Sequence, residues 1–275
     1  ADLTIQVTKA IASGNRVEAM LETIDDPSLN KNVDEHIDAP YISFNKVNFG
    51  YTKNGDNALN NINLEINKGE VIGVIGGTGS GKSTLVSLLA GFYLPDNGEL
   101  IIDGKHIENY SRKEIRNKTN VVLQKAQLFK GSIRDNMKVA KVDATDEEIW
   151  RALEISQSKE FVESKNGLDF ALEQGARNLS GGQKQRLGIA RGVLAGGDIL
   201  VLDDSSSALD YATEAKLRKE IFNMKDKTIF LVSQRSSTVR NADKIIVLDK
   251  GDIVEVNVLC KNRQNLYSGS CRLLL

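Results

Sequence analysis

The sequence predicts an α/β protein: a parallel sheet covered on both faces, a small antiparallel β portion before it, and a helical insertion at about residues 125–180. Three observations lead to that class. The apolar run Glu70-Val-Ile-Gly-Val-Ile75 leads through a glycine-rich stretch into the helical segment Leu85–Ala90. Apolar runs at 199–202, 228–232 and 244–248 alternate with helical stretches near 183–194 and 210–223, the pattern of strands buried on both faces. Ahead of them, Ile42, Phe44, Val47 and Phe49, then Ile62, Leu64 and Ile66, space their apolar residues as half-buried antiparallel strands do.

Taken in chain order, Ile5, Ile11, Val17, Met20, Leu21 and Ile24 give residues 4–24 a loose helical spacing that Asp25-Asp26-Pro27 stops. A polar linker follows to Pro40. Lys53-Asn54-Gly55-Asp56 supplies the turn between the first two strands. A helix is expected over 82–91, then a strand at Glu99–Ile102 with a turn at Asp103-Gly104, and another strand at Asn120–Leu123. From Gln124 to about 178 the reading is mostly helical. Thr145-Asp-Glu-Glu148 is a capping box that opens a helix through Ile149, Leu153 and Ile155. There is no internal repeat and no low-complexity tract.

Residues 76–84 read Gly-Gly-Thr-Gly-Ser-Gly-Lys-Ser-Thr. Strand, glycine-rich loop, Lys-Ser and helix together have the form of a phosphate-binding P-loop. Gly76, Gly79 and Gly81 leave the backbone free of Cβ, so successive N–H groups can turn toward one anion. Gly77, Thr78, Ser80 and Thr84 complete the loop, and the following helix adds the positive end of its dipole. Lys82 is placed to reach the β- and γ-phosphates, and the Ser83 hydroxyl to ligate Mg²⁺. The segment points to a nucleoside triphosphate.

Bulk properties narrow the partners. A formal net charge of −1 leaves no electrostatic footprint for nucleic acid or an anionic membrane surface. Cys260 and Cys271 both fall near the C-terminal end, which argues against a disulfide framework or a zinc cluster and suits a reducing setting. No apolar run approaches the ~20 residues that span a bilayer, so any spanning part lies elsewhere.

Ile199-Leu-Val-Leu202 ends in Asp203-Asp204. A buried strand can deliver Asp203 to a Mg²⁺ ion and Asp204 to the water that attacks the phosphate. Leu179-Ser-Gly-Gly-Gln183, followed by an apolar helix, is a second set of glycines at a helix N-terminus, with Ser180 as cap. With these motifs beside a P-loop, the chain resembles the nucleotide-binding domain of ABC (ATP-binding cassette) transporters, the exporter type in particular, over about residues 40–256. The resemblance implies a P-loop NTPase (RecA-like) core with an antiparallel β-subdomain and a helical subdomain, binding ATP and Mg²⁺. It also implies head-to-tail pairing of two such domains, each ATP lying between one P-loop and the partner's signature, here Ser180, Gly181, Gly182 and Gln183. Tyr51 resembles the aromatic that stacks on adenine, and Gln124 the glutamine that contacts Mg²⁺ and the transmembrane coupling helices, although Leu123 stands where Pro is usual. Ser207-Ala-Leu-Asp210 resembles the loop that communicates across the dimer. Glu173-Gln174-Gly175 occupies the place of an acidic loop facing the transmembrane helices, with Gln174 where Glu is usual.

Two positions depart from the hydrolytic pattern. Asp204 follows the Mg²⁺ aspartate where Glu is usual, and Gln234 replaces the switch histidine after strand 228–232. The only histidines, His36 and His106, lie upstream of the signature and read as surface residues. Asp is one methylene shorter than Glu, which sets its oxygens about 1 Å further from the water, a misplacement that can cost ~10²-fold in rate. Gln234 still donates a hydrogen bond but cannot become a cation. Binding is therefore expected to survive while hydrolysis slows, with Asp204, Gln234 and Lys82 as the groups nearest the chemistry.

By the same resemblance, residues 1–39 correspond to the end of a transmembrane-domain helix and its linker, in a fragment of a longer half-transporter. The nucleotide-binding domain occupies 40–255. Residues 256–275 lack the usual continuation and are expected to be poorly ordered or a sequence irregularity. The resulting reading is the ATP-binding domain of a heterodimeric exporter with a slow hydrolytic site, on the cytoplasmic side of a membrane. A fully active homodimer stands as the alternative. A soluble ABC protein acting on DNA or ribosomes lacks its usual coiled-coil insertion or tandem cassettes.

Overall fold

The computed structural model describes residues 2–22, 36–52 and 55–258. In chain order the elements are helix α1 (Asp2–Glu22) and strands β1 (Ile42–Phe49), β2 (Leu59–Ile66) and β3 (Val71–Ile75), then α2 (Lys82–Leu89), β4 (Asn97–Ile102), β5 (Lys105–His106), α3 (Arg112–Lys118) and β6 (Thr119–Val122). The middle of the chain holds β7 (Gly131–Ser132), α4 (Ile133–Lys138), α5 (Asp146–Ile155), α6 (Lys159–Glu163) and β8 (Ala171–Leu172). The last part holds α7 (Gly181–Leu194), β9 (Ile199–Asp203), α8 (Tyr211–Asn223), β10 (Thr228–Ser233), α9 (Ser236–Val239), β11 (Lys244–Asp249) and β12 (Asp252–Val258).

The expected architecture is present. One sheet is antiparallel in the order β2-β1-β4-β5, and a six-stranded sheet runs β12-β11-β3-β10-β9-β6. Within the second sheet β11, β3, β10, β9 and β6 are parallel, and only β12 pairs antiparallel. The alternating strands β1 and β2 are in register from Ile42↔Ile66 to Phe44↔Leu64, so their apolar residues share one face. That face and α2 meet the parallel sheet in one apolar cluster, with Phe44, Leu85, Leu89, Val201 and Phe230 buried in it. The opposite face is covered by α8 through Leu217 and Ile221. Lys118 pairs with Asp103 at 2.7 Å and Asp198 at 3.2 Å, which ties the β4–β5 turn to the approach to β9.

The inserted helices have their own apolar cluster around Ile149, Leu153, Val162 and Leu168. It reaches past residue 180 to take in Leu187, Ala190 and Leu194 of α7, so this helix belongs to both cores. The capping box at Thr145 forms as the sequence predicted, with Thr145 Oγ1 accepting from the Glu148 N–H and Glu148 accepting from the Thr145 N–H.

At the ends and turns one expectation needs adjustment, and two reach beyond the described residues. Helix α1 runs over Asp2–Glu22, with Ile5, Ile11 and Val17 exposed on it, and the last two residues of the expected segment, 23 and 24, lie outside the described residues. Two residues of the Lys53–Asp56 turn, 53 and 54, lie outside the described residues. Residues 256–258, expected to be poorly ordered, continue β12 in register with Lys244–Ile246, because β11 offers them a paired edge. Residues 259–275 lie outside the described residues.

Candidate functional site

The C-terminal ends of four adjacent parallel strands are aligned by register. Ile75 of β3 pairs with Ser233 of β10, Val232 of β10 with Asp203 of β9, and Leu202 of β9 with Val122 of β6. Open α/β sheets bind ligands beyond the carboxyl ends of their strands. At that edge lies a cleft of about 360 Å³ lined by Tyr51, Thr78–Thr84, Gln124, Asp203, Asp204, Ser233 and Gln234. Tyr51 and Gln234, about two thirds of the chain apart in sequence, therefore line one cleft.

The glycine-rich loop has its shape for two physical reasons. Gly81 caps α2 at φ 101°, in the left-handed region that L-residues avoid. At Gly76 space is the constraint, since a Cβ would lie 2.3 Å from the Leu248 carbonyl oxygen and 2.5 Å from Ser80 Oγ. Gly76 and Gly77 do not line the cleft themselves. Their carbonyls accept hydrogen bonds from Lys82 Nζ, each at 2.7 Å. The ammonium is thus folded over the loop it follows. Burial lowers its pKa, and the carboxylates of Asp203 and Asp204 oppose that shift.

Across the cleft, Asp203 has its pKa raised, first by burial and then by the like charge of Asp204, with Lys82 opposing. Asp204 adopts φ 46°, a left-handed conformation tolerated by Asp. Its N–H donates to the Val232 carbonyl at 2.8 Å, so the turn after β9 is pinned to β10. Its Oδ1 lies 3.5 Å from Ser233 Oγ, and that hydroxyl also accepts from the Arg235 N–H at 3.1 Å. Asp204 and Gln234 are thereby held on two adjacent loops that share contacts.

Ser83, Gln124 and Asp203 offer hydroxyl, amide and carboxylate oxygens to one cleft. Among the described residues no cluster of three His, Cys, Asp or Glu side chains forms a metal cage. One carboxylate with neutral oxygens is the donor set of Mg²⁺ held jointly with phosphates. Tyr51 stands at the rim, edge-on to Phe49 at 5.1 Å and to Tyr93 at 5.4 Å. Its hydroxyl is 3.1 Å from Thr84 Oγ1, which fixes the ring while leaving it 55 % exposed.

The signature residues do not line this cleft. Ser180 caps α7 in a reciprocal capping box with Gln183, at 3.3 Å and 3.0 Å. Gly182 packs beside the loop at 207–210, where a Cβ would lie 3.1 Å from the Ala208 carbonyl oxygen. Asp210 serves as N-cap of α8, accepting from the Thr213 N–H at 2.9 Å. Those hydrogen bonds lower its pKa. Within one chain, then, these residues form a second surface apart from the P-loop. Glu173-Gln174-Gly175 is exposed.

One residue escaped the sequence reading. Gln185 is buried and hydrogen-bonded to Gln124, Ser207 and Ala208. The signal available was an amide sharing one helical face with Gly182, Gly188 and Gly192, where small residues announce a close neighbour.

Comparison with known proteins agrees with this geometry. The profile of the family described as ABC transporter matches residues 59–207. The chain is 41 % identical over 217 residues to the putative multidrug export ATP-binding/permease protein YgaD of Bacillus subtilis (strain 168), covering 78 % of this chain and 37 % of that protein. It is 40 % identical over 233 residues to the leukotoxin translocation ATP-binding protein LktB of Mannheimia haemolytica, covering 83 % of this chain and 33 % of that protein. A solved structure of a bacterial Atm1-family ABC exporter with ATP bound superposes with a TM-score of 0.78 at 29 % identity, over 91 % of this chain and 45 % of that one. The chain thus spans between a third and a half of the length of these relatives. Among the described residues no helix is long and apolar enough to cross a membrane. A P-loop, a carboxylate pair and a capped signature helix on one α/β scaffold, matched by the family profile, identify the chain as a member of the ABC transporter family, the ATP-binding ATPase domain of that class.

Proposed function

We propose that this domain works on the cytoplasmic side of a membrane exporter, pairs head to tail with a second, non-identical nucleotide-binding domain, and binds ATP more readily than it hydrolyses it. The observation that carries the reading is the cleft itself: P-loop, Lys82 and Asp203 converge there together with Asp204 and Gln234. Lys82 and the loop N–H groups hold the β- and γ-phosphates, and the Tyr51 ring stacks on the base. Ser83, Gln124 and Asp203 hold Mg²⁺, which when bound neutralises phosphate charge. Asp204 orients the attacking water, and Gln234 donates to the γ-phosphate.

Both of these last groups are weak versions of what hydrolysis needs. The shorter carboxylate stands back from the water, and a neutral amide gives roughly half the strength of a charge-assisted bond to the transferring phosphoryl. The signature at Ser180–Gln183, on its separate surface, would complete the partner's site. The relatives' names as export proteins and the Atm1-family likeness support a transmembrane domain as the other partner. The near-neutral net charge gives no support to a nucleic-acid partner.

Single-turnover ATP hydrolysis tests the reading. The double substitution Asp204→Glu with Gln234→His is expected to raise the rate by about 10–10²-fold, the scale of a 1 Å correction plus a restored charge. Fast turnover by the unaltered chain, with no gain on substitution, would instead favour a fully active homodimer.

A further inference from the structure

Helix α7 presents one face to two loops at once. At its start Gly182 abuts Ala208. Further along, a Cβ on Gly188 would come within 2.6 Å of the Ala126 Cβ, and one on Gly192 within 2.2 Å of Val122 Cγ2. Only glycine lets the helix lie this close to the end of β6 and the segment after it. Gln185 stands between these glycines at helical spacing, on the same face. Its amide nitrogen donates to the Gln124 carbonyl at 3.2 Å and to Ser207 Oγ at 3.1 Å. Its Oε1 accepts from the Ala208 N–H at 2.9 Å. Both amide hydrogens and the carbonyl are used, and the group is buried, so removing any arm leaves a polar atom unpaired.

We infer that Gln185 is a positioning residue that couples the two nucleotide sites of a pair. Gln124 lines this chain's own cleft, whereas Ser207–Asp210 and the start of α7 form the surface offered to the partner. One planar amide fixes both. A displacement of Gln124 toward a bound nucleotide moves the donor, and the acceptor bound to Ala208 must follow. The inference rests on the head-to-tail reading above. It adds a specific route by which occupancy of one site sets the surface that completes the other.

The test uses the 275-residue chain with ATP, mixed either with a second copy or with an ABC domain bearing Glu and His at the positions matching Asp204 and Gln234. Gln185→Glu keeps the acceptor for Ala208 but turns an oxygen toward the Gln124 carbonyl. ATP affinity, measured far below the concentration at which chains pair, is expected to stay within about twofold, while the dissociation constant of the ATP-driven pair rises about tenfold, within the range of allosteric couplings. Ser207→Ala removes one arm without adding charge and should weaken pairing in the same direction. Because the two act through one contact, the double variant should be no weaker than Gln185→Glu alone.

Pairing equal to that of the unaltered chain would overturn the coupling role and leave the head-to-tail reading intact. A joint loss of ATP affinity and melting temperature would overturn it as well, by marking Gln185 as a fold residue only. If the unaltered chain pairs with neither copy, the head-to-tail reading itself fails and the coupling falls with it.

Discussion

At the residue scale the site depends on charges held where water would not leave them. Asp203 carries a raised pKa from burial and from Asp204, so the folded chain binds its proton more tightly than the unfolded chain does. The sign follows from linkage. The stabilisation from this group is present below the ordinary carboxylate range and lost as pH rises through the raised value. Asp203→Asn is therefore expected to raise the melting temperature at neutral pH and to flatten its dependence on pH through the acid range, while Mg²⁺-dependent ATP binding is lost. A melting temperature that falls on substitution would mean that Asp203 is not held at an electrostatic cost. Lys82 obeys the opposite logic. Burial lowers its pKa, and it rests on the Gly76 and Gly77 carbonyls, so an arriving phosphate competes with two neutral acceptors for its hydrogens. A doubly charged phosphate group wins that competition because charge-assisted bonds are the stronger.

At the element scale the instructive piece is the start of α7, where Ser180 caps the helix and, on the proposed function, would also meet the partner's nucleotide. Ser180 Oγ accepts from the Gln183 N–H and so caps the helix. Ser180→Ala is expected to cost about 1 kcal/mol, the usual loss on removing such a cap. In a domain of this size that is a fall in melting temperature of roughly 2–4 °C. Ser180→Asp separates the two roles, because Asp caps as well as Ser but sets a negative charge where the partner's phosphates would lie. Its melting temperature should stay near that of the unaltered chain, and ATP-driven pairing should be lost. Normal pairing by the Asp variant would remove the signature from the shared site. The sheet edge argues at the same scale: four strands deliver four site segments because their C-terminal residues share one register.

At the scale of the whole molecule, three apolar clusters hold the four-stranded and six-stranded sheets and the helical insertion, and α7 is shared between two of them. The cleft opens beyond the C-terminal ends of the parallel strands and draws on loops from most of the chain, so a ligand filling it stabilises the assembly by mass action. ATP with Mg²⁺ at about one hundred times its Kd is expected to add ~2.7 kcal/mol, or roughly 5–10 °C in melting temperature by thermal scan. Chelating the metal should remove much of that shift, since Asp203 would then face the phosphates without a counter-ion. No shift with nucleotide would count against the cleft as the ATP site.

What the sequence determined by itself were the features encoded within about ten residues: the P-loop and its helix start, the Asp203-Asp204 strand end, the Thr145 capping box and the Ser180 cap, and the alternation that makes β1 and β2 antiparallel. Short-range backbone chemistry dictates these, so each is legible in place. The long-range contacts were decided only by the tertiary structure. Tyr51 meets Thr84 from 33 residues away, and Gln185 reaches Gln124 across 61 and Ser207 across 22. The continuation of β12 to Val258 depended likewise on the paired edge of β11. The reason is physical. A hydrogen bond within a turn follows from local φ and ψ, whereas a buried amide finds its partners only after three apolar clusters have packed and brought distant backbone within 3 Å.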